Sequence, residues 1–384
     1  MSTKISIINA NDYESIPKAV VGAIKLVENS LPFSFSNSNQ ILLKPNLLRA
    51  KKEACTQPSF VEGVILYLKE KGISMDNVSI GDSPGQQGKN ASDVVKKIGL
   101  LEICKENDVK IIDFESEIPD VEIIEDALQM KKFHVAKAIK NCDILINLPR
   151  LKSHAEAMIT GAMKNYWGII PGGLKAKYHL LGKTADRFGE VLADNFSWIL
   201  KHKSKRLTVY DLQEIMEGSM GPAAGKMVKW DLILVGTDEL ALDVVALEIG
   251  KLKAKNVPHV NNAIERNLGV SDLDNIEIVG MSLEEAKKMT PKFNVPGSTM
   301  TSFISYITGH LAYKVMKKMP NLVKIKCAKC GQCAEICPTE AIRCEEGNYP
   351  IFSRKNCISC LCCMELCPEN AIKASSRGII GLFD

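Results

Sequence analysis

Apolar residues come in short β-branched runs separated by longer stretches with helical spacing. Lys4 to Ile8, Gln40 to Lys44, Val78 to Gly81, Val109 to Asp113, Asp143 to Leu148, Leu207 to Asp211, Asp231 to Val235 and Asn275 to Val279 predict strands. Helical spacing predicts helices around Ser15 to Asn29, Pro58 to Lys71, Ala91 to Glu106, Thr184 to His202 and Glu239 to Leu252. A strand with one solvated face alternates apolar and polar residues, whereas one covered on both faces reads as a nearly continuous apolar run. The pattern therefore predicts an α/β fold with a mainly parallel sheet covered by helices.

Pro291, Pro296 and Gly297 punctuate the chain after the last of these strands. Met300 to Lys318 then has amphipathic helical spacing, too polar to span a bilayer, so no transmembrane segment is expected. The expected layout is an α/β domain over 1–297, a linker helix over 298–323, a small module over 324–375 and a tail over 376–384. Six lysines and no acid lie between Thr299 and Ala334. They suit a linker helix with its lysines in water, or contact with a membrane surface or an acidic partner. With 384 residues, 46% apolar, the chain has material for one large domain and a small one. A net charge of +4 and 6% aromatics give neither the basic stripe nor the stacking surface of a nucleic-acid binder.

The small module carries the strongest chemical signal. Cys327, Cys330, Cys333 and Cys337-Pro338 repeat the spacing of Cys357, Cys360, Cys363 and Cys367-Pro368. This C-x-x-C-x-x-C-x-x-x-C-P spacing belongs to bacterial two-cluster ferredoxins, in which the fourth cysteine ligates the other cluster. The expected ligands are Cys327, Cys330, Cys333 and Cys367 for one 4Fe-4S cluster, and Cys357, Cys360, Cys363 and Cys337 for the second. The expectation is thus a small α+β ferredoxin-type domain holding both clusters. Zinc ribbons need only paired C-x-x-C knuckles, without a third cysteine at i+6 or a following Cys-Pro. A disulfide framework would require secretion, and Met1 to Ile8 has no long apolar leader core. A reducing, cytoplasmic setting is expected, with Cys55, Cys104, Cys142, Cys344 and Cys362 as small packed residues.

Polar residues gather at the carboxyl ends of the predicted strands, where open parallel sheets bind ligands. Lys44 and Asn46 follow the second strand, Asp82 the third, and Lys152, Ser153 and His154 the fifth; Glu217 falls after a later one. The densest stretch runs from Lys152 through Thr160, Gly161, Lys164 and Asn165 to Gly172 and Gly173. Thr160 would cap a helix whose free N–H groups, with Lys164, receive a carboxylate or phosphate. Taken singly, His154 reads equally as a satisfied loop histidine and Lys164 as a solvated helix lysine. Their crowding near Lys152 and Asn165 favours a site. No G-x-G-x-x-G opens a helix after a strand and no Walker-type loop occurs, so a nucleotide is not indicated.

Lys44-Pro-Asn46-Leu, Gly81-Asp82-Ser83-Pro84, Ile146-Asn147-Leu-Pro149-Arg-Leu-Lys152-Ser-His154, Thr160-Gly161-Ala-Met-Lys164-Asn165 and Glu217-Gly218-Ser-Met-Gly221-Pro222 resemble the domain of unknown function 362 family, in the form fused to a C-terminal two-cluster ferredoxin. That resemblance implies architecture rather than a reaction. The run His154, Thr160-Gly161-Ala162, Lys164, Pro171-Gly172 and His179 is similar in order to a stretch of nickel-pincer lactate racemases. It implies His154 as proton-transfer base, Lys164 as covalent anchor and His179 as metal ligand. Asn165, Tyr166 and Trp167 depart from that pattern, and racemisation needs no net electrons.

Three functions follow as expectations. In the first, the protein is an iron-sulfur oxidoreductase of anaerobic chemistry that passes low-potential electrons to a small anionic substrate. Lys44, Asn46, Lys152 and Asn165 would bind that substrate, Asp82 and Glu217 would orient the site, and His154 and Lys164 would be catalytic. In the second, the module passes electrons to a partner and the α/β domain only docks or senses a ligand. In the third, it is a metal-cofactor enzyme of the racemase type. A redox partner such as a flavodoxin, a ferredoxin or a reductase is implied by the first two.

Overall fold

The computed structural model describes residues 2–85, 91–116, 118–182, 184–296, 318–345 and 347–376. In chain order the strands of the large domain are β1 (Thr3–Asn9), β2 (Ile41–Pro45), β3 (Val78–Asp82), β4 (Lys110–Asp113), β5 (Asp120–Ile123), β6 (Lys132–Val135), β7 (Ile144–Leu148), β8 (Arg150–His154), β9 (Met158–Thr160), β10 (Arg206–Glu217), β11 (Lys226–Gly236) and β12 (Ile276–Gly280). The helices are α1 (Ile16–Val27), α2 (Pro58–Glu70), α3 (Ala91–Ile98), α4 (Leu100–Glu106), α5 (Lys137–Asn141), α6 (Ala162–Asn165), α7 (Leu174–Tyr178), α8 (Ala185–His202), α9 (Glu239–Ile249), α10 (Pro258–Glu265) and α11 (Leu283–Met289). The stretch expected as one helix over Ala91 to Glu106 is two, because Gly99 at φ +87° takes a left-handed conformation between α3 and α4.

Eight strands form the path β12-β1-β11-β10-β7-β2-β3-β4, with β8 and β9 attached beyond β10. Pairing is parallel along β10-β7-β2-β3-β4 and between β1 and β12, and antiparallel where β11 joins β1 and β10. The sheet is thus mixed but mainly parallel. Period two sends alternate residues into separate cores. Ile41, Leu43, Ile144, Ile146, Leu207 and Val209 pack under α1 to α4, whereas Leu42, Leu145, Tyr210 and Leu212 pack under α8, α9 and α10. Burial on both faces is why these strands read as apolar runs.

Two features place the candidate site. First, β10 and β11 run for 12 and 11 residues, well past the segments that the apolar runs predicted. The overhang supplies backbone partners for Arg150 to His154, expected as loop, which pair in parallel through Asp211↔Arg150 and Met216↔Lys152 as β8. Second, Gly161 is the N-cap of α6, and the helix's first N–H groups, at Ala162 and Met163, donate to the Asp243 carboxylate at 2.7 and 3.0 Å. The anion at this helix start is therefore a side chain of α9 rather than a ligand, and Thr160 ends β9 instead of capping α6.

The small module contains β13 (Lys318–Leu322), β14 (Ile342–Arg343), β15 (Ile351–Phe352) and β16 (Ile372–Ser376). Residues 318–322 were expected in the linker helix, but they form a strand antiparallel to β16, with Leu322 opposite Ile372. Pro320 is tolerated because this sheet has only two strands and needs no donor on its outer side. The remainder of the expected linker helix, 298–317, and the tail from 377 onward lie outside the described residues.

Gly161 tests the α6 anchor. A Cβ there would sit 2.2 Å from Asp243 Oδ1 and 2.6 Å from the Tyr210 hydroxyl. Gly161→Ala is expected to destabilise the protein by about 1–3 kcal/mol, read as a lower urea midpoint with unchanged slope. An unshifted midpoint would show that the carboxylate moves aside freely.

Candidate functional site

The strand ends, β8, the β9–α6 segment and α7 enclose a cavity of about 770 Å³ including its mouth, and the small module contributes the remaining wall. Asn46, Asp82, Lys152, His154, Lys164, Asn165, Lys175 and His179 come from the large domain, and Ile336, Cys362, Glu365 and Leu366 from the module. Lys152 and His154 share a face because they are two apart on β8.

The floor is a buried ion pair at adjacent strand ends. Lys44 Nζ lies 2.8 Å from Asp82 Oδ1, and Asp82 Oδ2 accepts from Leu47 N at 2.7 Å. Lys44 stands behind the cavity wall rather than in it, since its ammonium is committed to Asp82. Asn165 is oriented by a relay: Asn147 Nδ2 donates to Ala162 O at 3.0 Å, so Asn147 Oδ1 accepts from Asn165 Nδ2 at 2.7 Å. This leaves Asn165 Oδ1 buried and without a donor.

The cationic groups differ in what holds them. Lys152 donates to Asn46 Oδ1 and to Ala54 O, and burial pulls its pKa down to about 7. Lys175 donates to Ser83 Oγ and to the Ser83 and Pro84 carbonyls, and burial brings it to about 8. Lys164 has no hydrogen-bond or ion-pair partner among the described residues, and burial lowers its pKa too. An anion between these lysines would restore the charge balance that desolvation opposes.

His154 has a defined tautomer. Its Nδ1 accepts from the backbone N–H groups of Glu156 and Ala157 at 3.2 and 3.1 Å, so the ring proton belongs on Nε2, 3.1 Å from Glu365 Oε1. Burial, with Lys164 and nearby histidines, holds its pKa well below the usual value. A neutral His154 thus offers a donor at Nε2; it is not arranged as the base that the racemase resemblance implied. His179 stacks on Phe188 at 4.3 Å, with Nδ1 3.0 Å from Glu156 Oε2. Burial opposes its protonation, but the Glu156 carboxylate outweighs it and raises the pKa.

Of the residues singled out from sequence, Asn46, Asp82, Lys152, His154, Lys164 and Asn165 line this cavity. Glu217 does not: at the far end of β10, it accepts from Asn294 N and Nδ2 at 3.2 and 3.1 Å. Lys175 and Glu365 were missed. Lys175 follows a Gly172-Gly173 turn without a distinctive motif, and Glu365 sits inside a cysteine spacing that drew attention to the sulfurs alone.

In the module, Cys327, Cys330, Cys333 and Cys367 line one cavity, and Cys337, Cys357, Cys360 and Cys363 line another. Each quartet takes sulfurs from both repeats. The backbone repeats at a 30-residue offset, with Lys329 and Ser359, Gly331 and Leu361, and Glu340 and Asn370 all at positive φ. These turns aim N–H groups at sulfur: Lys329 N to Cys327 and Ser359 N to Cys357 at 3.4 Å, Ala341 N to Cys337 and Ala371 N to Cys367 at 3.2 Å. Such N–H···S bonds favour thiolate ligands and tune cluster potential. Non-glycine residues in the left-handed region cost free energy, so their recurrence at matched positions marks a backbone shaped for these cavities.

Because Lys152 and Lys175 titrate near neutrality, sulfate, whose own charge is constant, is expected to bind more tightly as pH falls from 9 to 6.5. The gain is up to about tenfold per pH unit for each lysine that must take up a proton. Calorimetry in buffers of different ionisation heat measures that uptake, and pH-independent binding would remove these lysines from the anion site.

Residues 41–248 match the family described as Domain of unknown function (DUF362), and residues 323–343 match the 4Fe-4S binding domain. A thylakoid-associated protein of Synechocystis sp. is 32% identical over 237 residues, spanning 61% of this chain and 69% of that protein. Among solved structures, a Thermotoga maritima protein aligns at 14% identity and TM-score 0.40, covering 58% of this chain and 55% of its own. The lactate racemase apoprotein from Thermoanaerobacterium thermosaccharolyticum aligns at 13% identity and TM-score 0.36, covering 63% and 55% respectively. The chain thus spans about half the length of these solved structures. No helix among the described residues is long and apolar enough to cross a membrane. With an iron-sulfur electron-transfer module at its C-terminal side, the chain belongs to the DUF362 family.

Proposed function

We propose that the protein is a reductase that passes low-potential electrons to a small anionic substrate held between its sheet and its iron-sulfur module. One 4Fe-4S cluster is held by Cys327, Cys330, Cys333 and Cys367, and a second by Cys357, Cys360, Cys363 and Cys337. The clusters supply single electrons at potentials that nicotinamides do not reach. The observation that carries the reading is the shared wall: Cys362, flanked by two cysteines of the second quartet, lines the same cavity as Lys152, Lys164 and Lys175.

Within that cavity Lys164 binds the substrate anion, having no hydrogen-bond or ion-pair partner among the described residues, and Lys152 and Lys175 add charge when protonated. His154 donates a hydrogen bond from Nε2, and the His179–Glu156 pair holds a second proton nearby. Asn165 Oδ1 accepts from a donor group on the substrate. Asn46 and Asp82 act indirectly, Asn46 by holding Lys152 and Asp82 by fixing Lys44 and the β2 end. Trp167 and Leu366 cover apolar parts of the wall and limit water. A racemase-type role for Lys164 and His179 is less well supported, because His179 is engaged by Glu156 and racemisation leaves the clusters idle.

Protein reconstituted without oxygen is expected to hold about eight irons and eight sulfides. Cys367→Ala should lose about half, with Cys337→Ala losing the complementary half; zinc alone in the wild type would end the redox reading.

Reoxidation of the reduced protein by a panel of small carboxylates and oxyanions tests the reductase itself. Lys164→Ala is expected to slow the active anion's reaction by about a hundredfold or more while leaving the visible spectrum unchanged. If no anion oxidises the wild-type protein, the carrier function replaces the reductase.

A further inference from the structure

The two cysteine quartets differ in access. Cys330 of the first is exposed, whereas Cys360 and Cys363 of the second are each 8% exposed and the intervening Cys362 faces the substrate cavity. If electrons leave by the second quartet, they enter by the first. Around Cys330 the surface is basic and partly apolar. Lys324, Lys326 and Lys329 are exposed, and none pairs with a carboxylate among the described residues. Lys324 and Lys329 instead approach the Tyr349 ring, at 5.7 and 4.7 Å from its centroid. Between the first two lysines, Ile325 is 94% exposed. One acid, Glu369, borders the first quartet's cavity.

A fully exposed isoleucine flanked by unpaired lysines costs solubility without adding to any core, which is the profile of a small docking face. Electron-transfer encounters use such faces: little buried area, an apolar centre and charges that steer and orient the partner. We infer that the Lys324–Lys329 face is the docking surface for a small acidic one-electron carrier protein, which loads the first quartet's cluster. This rests on the proposed reductase direction. In each encounter the carrier loses one electron and the oxidised cluster gains one; no atom is transferred, and two encounters load both clusters.

The test uses the full-length, cluster-loaded protein and a purified acidic flavodoxin, reduced to its hydroquinone. Wild-type binding is expected to weaken steeply with salt, and the Lys324→Glu, Lys326→Glu, Lys329→Glu triple variant to lose about tenfold or more in affinity and in the rate of cluster reduction. Ile325→Ala alone should weaken binding without changing the salt slope. Dithionite should still reduce the triple variant fully, which shows that its clusters are intact. Wild-type affinity in the triple variant would overturn the inference, as would loss of binding to vesicles of anionic phospholipid with flavodoxin binding unchanged. Failure of every candidate anion to reoxidise the protein would overturn the reductase while leaving this docking result standing.

Discussion

The buried Lys44–Asp82 pair is the constraint around which the candidate site is assembled. The two residues end neighbouring parallel strands, and the same carboxylate also holds Leu47 N, so the β2 and β3 ends and the following loop are tied at one point. Removing one member of such a pair leaves a buried charge alone, at a cost of about 3–5 kcal/mol. The pair also sets how closely Gly168 approaches, since a Cβ there would fall 2.0 Å from Asp82 Oδ1. A residue without a side chain at 168 lets the segment bearing Lys164 and Asn165 lie directly over the strand ends.

That geometry explains the electrostatics of the cavity. Lys44 donates to the Asp82 carboxylate, Lys152 and Lys175 to amide and hydroxyl oxygens, and Lys164 has no hydrogen-bond or ion-pair partner among the described residues, although the Glu365 and Glu156 carboxylates lie near enough to favour its charge. Burial outweighs these carboxylates and lowers the pKa of all four lysines, the paired Lys44 included. His154 and His259 are kept neutral by burial in the same surroundings, His259 at about 3. The cavity is therefore a basic pocket whose charge an anion completes.

The module is packed into this pocket rather than suspended beside it. Ala176 of α7 packs with Ile336, Cys360, Cys362 and Leu366, while its neighbours Lys175 and His179 line the cavity. Arg49 reaches from the large domain to the Cys367 carbonyl at 3.0 Å and to Asn370 Oδ1 at 2.9 Å. A shift of the module would thus move α7 and the cavity wall together, which links the position of the cysteine quartets to the shape of the pocket.

Much of this was legible along the chain. Eight apolar runs were legible as strands because the central ones, covered on both faces, must be apolar throughout and even the edge strands β4 and β12 keep a partly buried face, and the cysteine spacing was legible because thiolate ligands leave little freedom in position. What the chain alone could not show is set by contacts distant in sequence. Asp243, 81 residues beyond Ala162, takes the helix start at which local spacing placed Thr160 and an outside anion. Glu217 is drawn to Asn294, and Lys175 and Glu365 line one cavity only because the module folds back over the strand ends. Local spacing determined which residues form strands, helices and cysteine repeats; tertiary packing decided which charges face one another, because desolvation and pairing depend on neighbours that proximity in sequence does not supply.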